Sequence, residues 1–576
     1  MADKKYSTLT TPEYDKFPNG SGWDSVYPRP GLVRNSFFSL NGYWEYGTGA
    51  SSSFPDDLTE KIRVPFPPES LLSGIEASPK NNEYMYYRRK FELPEDFIKD
   101  RVILHFGAVD QVCEVFVSGK QVGKNEGGYI PFSFDITDYL KEGENEIHVI
   151  AKDSLDKKYP YGKQAKKRGG MWYTPVSGIW QTVWLESLPE NPIRGIKITS
   201  DMTSATVEID TDAKEKKLIL SDGTEYAFLG NSLRIEPSEA HLWSPSDPYL
   251  YEFSIVTETD TIESYFALRE IKIEEINGKM RTILNNKPIF LSALLDQGYY
   301  PDGIFLPASP EGYERDITLA KELGFNALRK HIKIEPMVFY YLCDKLGMVV
   351  MQDMVNNGRY SFLFDTALPT LGFKRVLPTL RNRDPEARSI FLSHMEKTAA
   401  LLYNTPSLLI YTIFNEGWGQ FLPDEAYEKL KGIDPTRLID ATSGWFYGEK
   451  SDFNSMHIYF KAPRIEKDNG KAMFLSEFGG FSLRCEGHLF GKKNYGYSLF
   501  KSEEAFEDAV IKLFENDTLP LIEKGLCMSV YTQLSDVEDE TNGLITYDRR
   551  KLKLSSERMR LANEALYKAL NEAINK

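Results

Sequence analysis

Two glutamates in this chain close apolar runs, where an ionised carboxylate resists desolvation unless it has a partner or a task. Leu409-Ile410-Tyr411-Thr412-Ile413-Phe414 ends in Asn415-Glu416-Gly417-Trp418-Gly419, and Met473-Phe474-Leu475-Ser476 ends in Glu477-Phe478-Gly479-Gly480. One such Glu is most simply a strand-end residue paired to an arginine. Two, set after Asn and after Ser with turn residues behind them, describe a pair of carboxyls facing each other across one mouth. That arrangement suits glycosidic-bond chemistry, in which one carboxyl protonates the leaving oxygen and the other attacks or activates water.

Such a pair needs a scaffold that brings distant strand ends to one rim. From about residue 276 apolar runs alternate with helical stretches: Ile289-Phe290-Leu291, a helix over 310–323, Ala327-Leu328-Arg329, a helix over 336–346, then Met348-Val349-Val350-Met351. The rhythm continues through Leu408-Leu409-Ile410-Tyr411, Leu438-Ile439-Asp440, Met456-His457-Ile458, Met473-Phe474-Leu475 and Met528-Ser529-Val530-Tyr531. This is the pattern of a C-terminal (β/α)8 barrel over 276–576, with Glu416 after strand four and Glu477 after strand seven, at the rim where such barrels carry their chemistry. Upstream, alternating runs such as Arg101-Val102-Ile103-Leu104-His105-Phe106 and Glu114-Val115-Phe116-Val117 with Gly-rich turns predict an antiparallel sandwich over 1–188, with Gly178–Leu185 as its closing strand. Shorter runs at 196–198, 205–209 and 251–256 predict a second, immunoglobulin-like sandwich over 189–275.

Composition excludes several other classes. The 576 residues are 41 % hydrophobic and 13 % aromatic, enough for several cores, since single domains usually stop near ~250–300 residues. A net charge of −15 disfavours a nucleic-acid partner. No run approaches the roughly 18–20 apolar residues of a membrane span. The polar start Met1-Ala2-Asp3-Lys4-Lys5 lacks the apolar core of a secretory signal, which points to the cytoplasm. Cys113, Cys343, Cys485 and Cys527 have no metal-like spacing and read as reduced, buried small hydrophobes. Seven histidines without a paired spacing give a metal no support, and no Gly-rich phosphate loop supports a nucleotide, so no cofactor is expected.

With the motifs Phe37-Phe38-Ser39-Leu40-Asn41-Gly42-Tyr43-Trp44, Leu104–Lys120 and Gly128–Thr137 upstream, Asn415-Glu416 and Ser476-Glu477 in the barrel, and Asn542–Arg549 after strand eight, the chain resembles glycoside hydrolase family 2, the β-galactosidases, β-glucuronidases and their relatives. The resemblance covers almost the whole chain and implies an N-terminal jelly-roll sandwich, an immunoglobulin-like sandwich and a TIM barrel. It further implies a retaining, exo-acting β-glycosidase with Glu416 as acid/base, starting protonated, and Glu477 as an ionised nucleophile, the carboxyls roughly 5–5.5 Å apart. By the same resemblance Asn415 holds the sugar 2-hydroxyl, Tyr459 donates to the nucleophile and Arg329 fixes its charge. Asp296 after strand one is expected to bind sugar hydroxyls, Trp172 to reach over the mouth from the first domain, and Trp418, Trp445 and Tyr531 to offer stacking faces. Subunit contacts made by the upstream domains in this family leave a homo-oligomer open.

Two departures bear on the substrate. Family β-glucuronidases carry an Asn-x-Lys whose Lys reads the sugar carboxylate, and here those places hold Glu540-Thr541-Asn542. The family's Arg-x-Ser-His after strand two is Arg329-Lys330-His331-Ile332, so the histidine has moved or been replaced, and His331 joins the sugar-contacting candidates. A basic set, Arg484, His488, Lys492 and Lys493 with Lys330 and Lys333, is a solvated loop on one reading and a carboxylate reader on another. The missing motif and the weight of galactosidases in the family favour a β-D-galactoside. A β-hexuronidase using the basic loop is the enzymatic alternative, and an inactive carbohydrate-binding protein the alternative of another class.

Overall fold

The structure is a computed structural model that describes residues 9–16, 22–80, 82–370, 382–465 and 470–576; the polar start at residues 1–5 lies outside them. Alternating apolar residues build the first part into two facing antiparallel sheets. One carries Phe37–Ser39, Val183–Leu188, Arg101–Phe106 and Phe132–Asp135; the other has six strands from Glu60–Val64 across to Lys120–Glu126. Between them Trp44, Tyr87, Leu104, Val115, Ile147 and Leu185 form one buried cluster. The closing strand starts later than predicted because Gly178–Ile179 pairs elsewhere, with Val109–Asp110. A smaller sandwich follows, with three strands on one side and four on the other over Gly195–Phe266. Its Trp243 donates from Nε1 to the carbonyl of Asp344 (2.8 Å), which joins it to the barrel.

The barrel strands are β1 (Leu291–Asp296), β2 (Ala327–Lys330), β3 (Val349–Asp353), β4 (Leu408–Asn415), β5 (Leu438–Ser443), β6 (Phe453–Ile458), β7 (Ala472–Gly479) and β8 (Leu526–Thr532), all parallel. The gap between β5 and β6 is bridged by Ser455 Oγ, whose one proton is shared between Asp440 Oδ1 at 2.9 Å and the Thr442 carbonyl at 3.0 Å. Helices Glu311–Glu322 and Met337–Leu346 lie within the predicted spans. The second ends at Gly347, whose φ of 72° and close approach to the Pro245 carbonyl of the small sandwich leave no room for a side chain.

Strand alternation sets what faces the barrel axis. Leu295, Ala327, Met351, Leu438 and Phe453 belong to the apolar cluster along the axis. Two residues later on four of these strands the same inward phase places Arg329, Asp353, Asp440 and Ser455, all buried. An apolar floor thus carries a charged layer at the C-terminal rim.

Candidate active site

Glu416 follows the last residue of β4. Its φ of 51° lies in the left-handed region, uncommon for a residue with a Cβ and typical of strained functional positions. The turn is fixed by Glu416 N donating to the Ser443 carbonyl (3.0 Å) and by Gly417, where a Cβ would collide with the Phe446 ring at 2.3 Å.

Glu477 reaches the axis by a different device. Phe474 lies in the axial cluster, while Leu475 and Phe478 both lie in the outer cluster beneath the helices. Both face outward although three residues apart, because the ladder to β8 shifts register between Leu475 and Phe478. This bulge turns Glu477 inward.

The two carboxylates converge on His457. Its Nδ1 lies 2.9 Å from Glu416 Oε1 and 3.4 Å from Glu477 Oε2, and the three groups' nearest donor atoms all fall within 4.8 Å of one another. His457 Nε2 sits 3.0 Å from Ser443 Oγ. Among the described residues this trio is the one cluster of His, Cys, Asp and Glu tight enough to hold a metal ion, which would there ligate both strand-end carboxylates.

Arg329, fully buried, organises the base of the site. It donates from Nε to Asp353 Oδ1 (2.9 Å), from Nη1 to the Ser476 carbonyl (3.0 Å) and Glu477 Oε1 (3.2 Å), and from Nη2 to Asn415 Oδ1 (2.8 Å). The Tyr459 hydroxyl donates to Glu477 Oε2 and lies 3.0 Å from Thr532 Oγ1. Burial alone would raise the Glu477 pKa; His457, Arg329 and His331 outweigh it and bring the group down to about 2. With its Oδ1 held by Arg329, Asn415 keeps Nδ2 as a donor with no acceptor among the described residues.

His331 Nδ1 pairs with Asp353 Oδ2 at 2.8 Å, so it supports the carboxylate that supports Arg329. Burial and then Lys163 push His331 down to about 4, which leaves a neutral ring at pH 7. Trp445 donates from Nε1 to the Glu416 carbonyl (3.0 Å), its ring edge-on to His457. Trp172 stacks on Trp418 with centroids 5.1 Å apart and meets Tyr360 at 5.0 Å, forming an aromatic wall shared by the first domain and the barrel.

Three expectations are corrected. Asp296 and Tyr531 each follow an inward residue, Leu295 and Val530, so alternation turns both away from the axis. Asp296 accepts from Lys330 Nζ at 2.6 Å in a buried network, and Tyr531 packs on Phe478 and Phe514 under the helices; neither is offered to a sugar. Four of the six basic residues are held by other partners. Lys330 and Lys333 both donate to Glu335 Oε1 at 2.8 Å. Arg484 donates to the carbonyls of Lys492 and Lys493 in its own loop, and His488 pairs with Asp548.

The buried network makes a stability prediction. Glu335 also accepts from the Tyr313 hydroxyl at 2.7 Å, and removing one partner of a buried ion network leaves an uncompensated charge. Glu335→Gln is expected to lower the unfolding free energy by about 3–5 kcal/mol in urea titrations. A change below about 1 kcal/mol would show the lysines relaxing to other acceptors.

His457 and Asp353 were not singled out from the sequence. Their signal was parity: His457 stands two residues before Tyr459, and Asp353 two after the apolar Met351. Lys163 and Tyr173, on a loop of the first domain, had no local signal.

The fold and this rim define a class, and two parts of the chain match models of one family, glycoside hydrolase family 2. Residues 71–189 match the family model described as "Glycosyl hydrolases family 2, sugar binding domain" and residues 308–470 the one described as "Glycosyl hydrolases family 2, TIM barrel domain". Among characterised sequences it is similar to a β-galactosidase of Thermoanaerobacter pseudethanolicus (27 % identical, 52 % of this chain, 45 % of that one) and one of Leuconostoc mesenteroides (23 %, 86 % and 48 %). The chain therefore spans slightly less than half the length of these relatives. Among solved structures it is similar in fold to a β-glucuronidase from an uncultured Clostridium sp. (TM-score 0.75, 18 % identity, 94 % of this chain, 100 % of that one). It is likewise similar to a β-galacturonidase from Eisenbergiella tayi bound to galacturonate (0.66, 19 %, 93 % and 98 %). No helix among the described residues is long and apolar enough to cross a membrane.

Proposed function

We propose that the chain is a retaining, exo-acting β-glycosidase that removes a terminal non-reducing sugar, a β-D-galactoside, by double displacement. The observation that carries this reading is the approach of the Glu416 and Glu477 carboxylate oxygens to within 4.8 Å of one another. That sits nearer the roughly 5–5.5 Å carboxyl separation of retaining enzymes than the roughly 6.5–9.5 Å of inverting ones.

In the first step Glu477 forms a bond to the anomeric carbon as the glycosidic C–O bond breaks, and Glu416 passes its proton to the departing oxygen. In the second, Glu416 takes a proton from water, whose oxygen displaces Glu477 and restores the original configuration. Arg329 and Tyr459 keep Glu477 ionised and aimed, and Asn415 Nδ2 is placed to bind the 2-hydroxyl. The first-domain loop packs over the rim, with Tyr161 N donating to the Asn356 carbonyl and Tyr161 Oη to that of Gly358, which supports entry by a chain end.

Against the hexuronidase alternative weigh Arg484, which donates to its own loop, and the buried Glu540, which stands in the segment where a carboxylate-reading Lys would be expected. Turnover of nitrophenyl β-galactoside beside the β-galacturonide, β-glucuronide and β-glucoside tests the reading, with the first sugar released followed by NMR. The expected result is galactoside preference with the β-anomer appearing first. Release of the α-anomer first would overturn the mechanism, and uronide preference the substrate. Inertness on all four with retained sugar binding would favour a carbohydrate-binding protein.

A further inference from the structure

The loop after β8 and the loop of the first domain bring two opposite charges to the same rim without pairing them. Glu540, 4 % exposed, accepts from the Tyr173 hydroxyl at Oε2, and Gln533 Nε2 approaches the same oxygen at 3.5 Å. Its Oε1 has no hydrogen bond among the described residues. Lys163 sits at the other end of the same tyrosine: its Nζ lies 5.8 Å from the Tyr173 ring and 6.0 Å from the Trp418 ring, with no hydrogen bond or ion pair among the described residues. Burial pushes the Glu540 carboxyl above the usual carboxylate range, and the Lys163 charge is the strongest pull the other way; the same charge also reaches His331.

We infer that Lys163 and Glu540 together form the specificity-determining pair of this site, reading neighbouring hydroxyls of a neutral sugar and rejecting sugars that carry a charge. The argument is one of satisfiability. A free ammonium needs an acceptor and a free carboxylate oxygen needs a donor, both desolvated when a sugar fills the rim. A hydroxyl or vicinal diol supplies both. A uronate carboxylate satisfies Lys163 and is repelled by Glu540, and an amino sugar meets the reverse conflict. The rejection arises from an acidic side chain rather than from the mere lack of a basic one.

This inference deepens the glycosidase reading and rests on it, so its test reads binding as well as turnover. In a Glu477→Gln background, galactose and galacturonate are titrated calorimetrically against the protein with Glu540 intact, with Glu540→Gln and with Lys163→Met. Gln at 540 keeps an acceptor for Tyr173, and circular dichroism checks the fold of each variant. Glu540→Gln is expected to shift the galactose-to-galacturonate affinity ratio toward galacturonate by about 10-fold or more, and Lys163→Met to weaken galactose about 10–100-fold. The kcat/KM ratios of the matching nitrophenyl glycosides in the otherwise wild-type enzyme should move in parallel. An affinity ratio unchanged within about two-fold in Glu540→Gln overturns the pair. So does a parent that prefers galacturonate and loses that preference in Lys163→Met, which would make Lys163 a carboxylate reader. Wild-type silence on every glycoside, with the affinity shifts present, would instead overturn the glycosidase reading and leave the pair standing.

Discussion

Glu477→Gln is expected to abolish glycoside turnover, by on the order of 10⁴-fold or more, while the protein remains folded. The two halves of this expectation have separate causes. The amide cannot form the glycosyl ester, and it also removes the negative charge that faces the developing positive charge at the anomeric carbon. The fold survives because Arg329 keeps Asp353, the Ser476 carbonyl and Asn415 as acceptors, so no buried cation is orphaned. Near-wild-type rates in this variant would show that another group is the nucleophile. A stability signature accompanies the loss. The carboxyl is held at about 2 in the fold, against about 4.3 in an unfolded chain. Its contribution is therefore present above about pH 4.3 and is lost as pH falls toward 2. Urea midpoints between pH 5 and pH 3 should fall less steeply in the variant than in the wild type.

The barrel and its two glutamates were legible because they rest on local rules. Apolar runs of strand length alternating with helical stretches place Glu416 and Glu477 at one rim, and turn residues behind each mark where the strand stops. The misplaced residues show what those rules omit. Asp296 sits at a strand end as Glu416 does, but the sequence does not show which way the last side chain points, and Leu295 already occupies the inward phase. Tyr531 is misplaced by the same single step. Glu477 breaks the phase in the other direction: with regular alternation from Phe474 it would face the helices, and the bulge in β7, seen against both β6 and β8, turns it to the axis. A bulge depends on the partner strand and leaves no mark on the run itself.

The charged residues show a second limit. Lys330 and Lys333 look like rim cations in sequence, and in the fold they neutralise Glu335 and Asp296 behind the strands. Lys163 looks like one of several basic residues in a polar loop some 250 residues before Glu416, and in the fold it stands over Trp418. Long-range pairing decides which charges are spent on structure and which remain available to a ligand. Glu540 was visible as a departure from a motif, but its relation to Lys163 depends on Tyr173 reaching across from another domain.

Replacing Glu416 by Ala should separate the two steps it serves, and the separation is the stronger test of its role. With a poor leaving group such as an unactivated sugar alcohol, departure requires the proton, and kcat/KM is expected to fall about 10²–10⁴-fold. With 2,4-dinitrophenolate, which leaves without protonation, the glycosyl-enzyme forms at close to the wild-type rate and then accumulates, because water lacks its base. A burst of phenolate followed by slow turnover is therefore expected. Azide, a nucleophile that needs no base, should raise the slow phase and yield the β-glycosyl azide, since attack occurs in the cavity that Glu416 vacates. His457 keeps Ser443 at Nε2 and Glu477 at 3.4 Å from Nδ1, so the remaining carboxylate stays supported while this is measured. Equal losses for both leaving groups, with no burst and no effect of azide, would move Glu416 from acid/base to a positioning role and require the proton to come from another group at the rim.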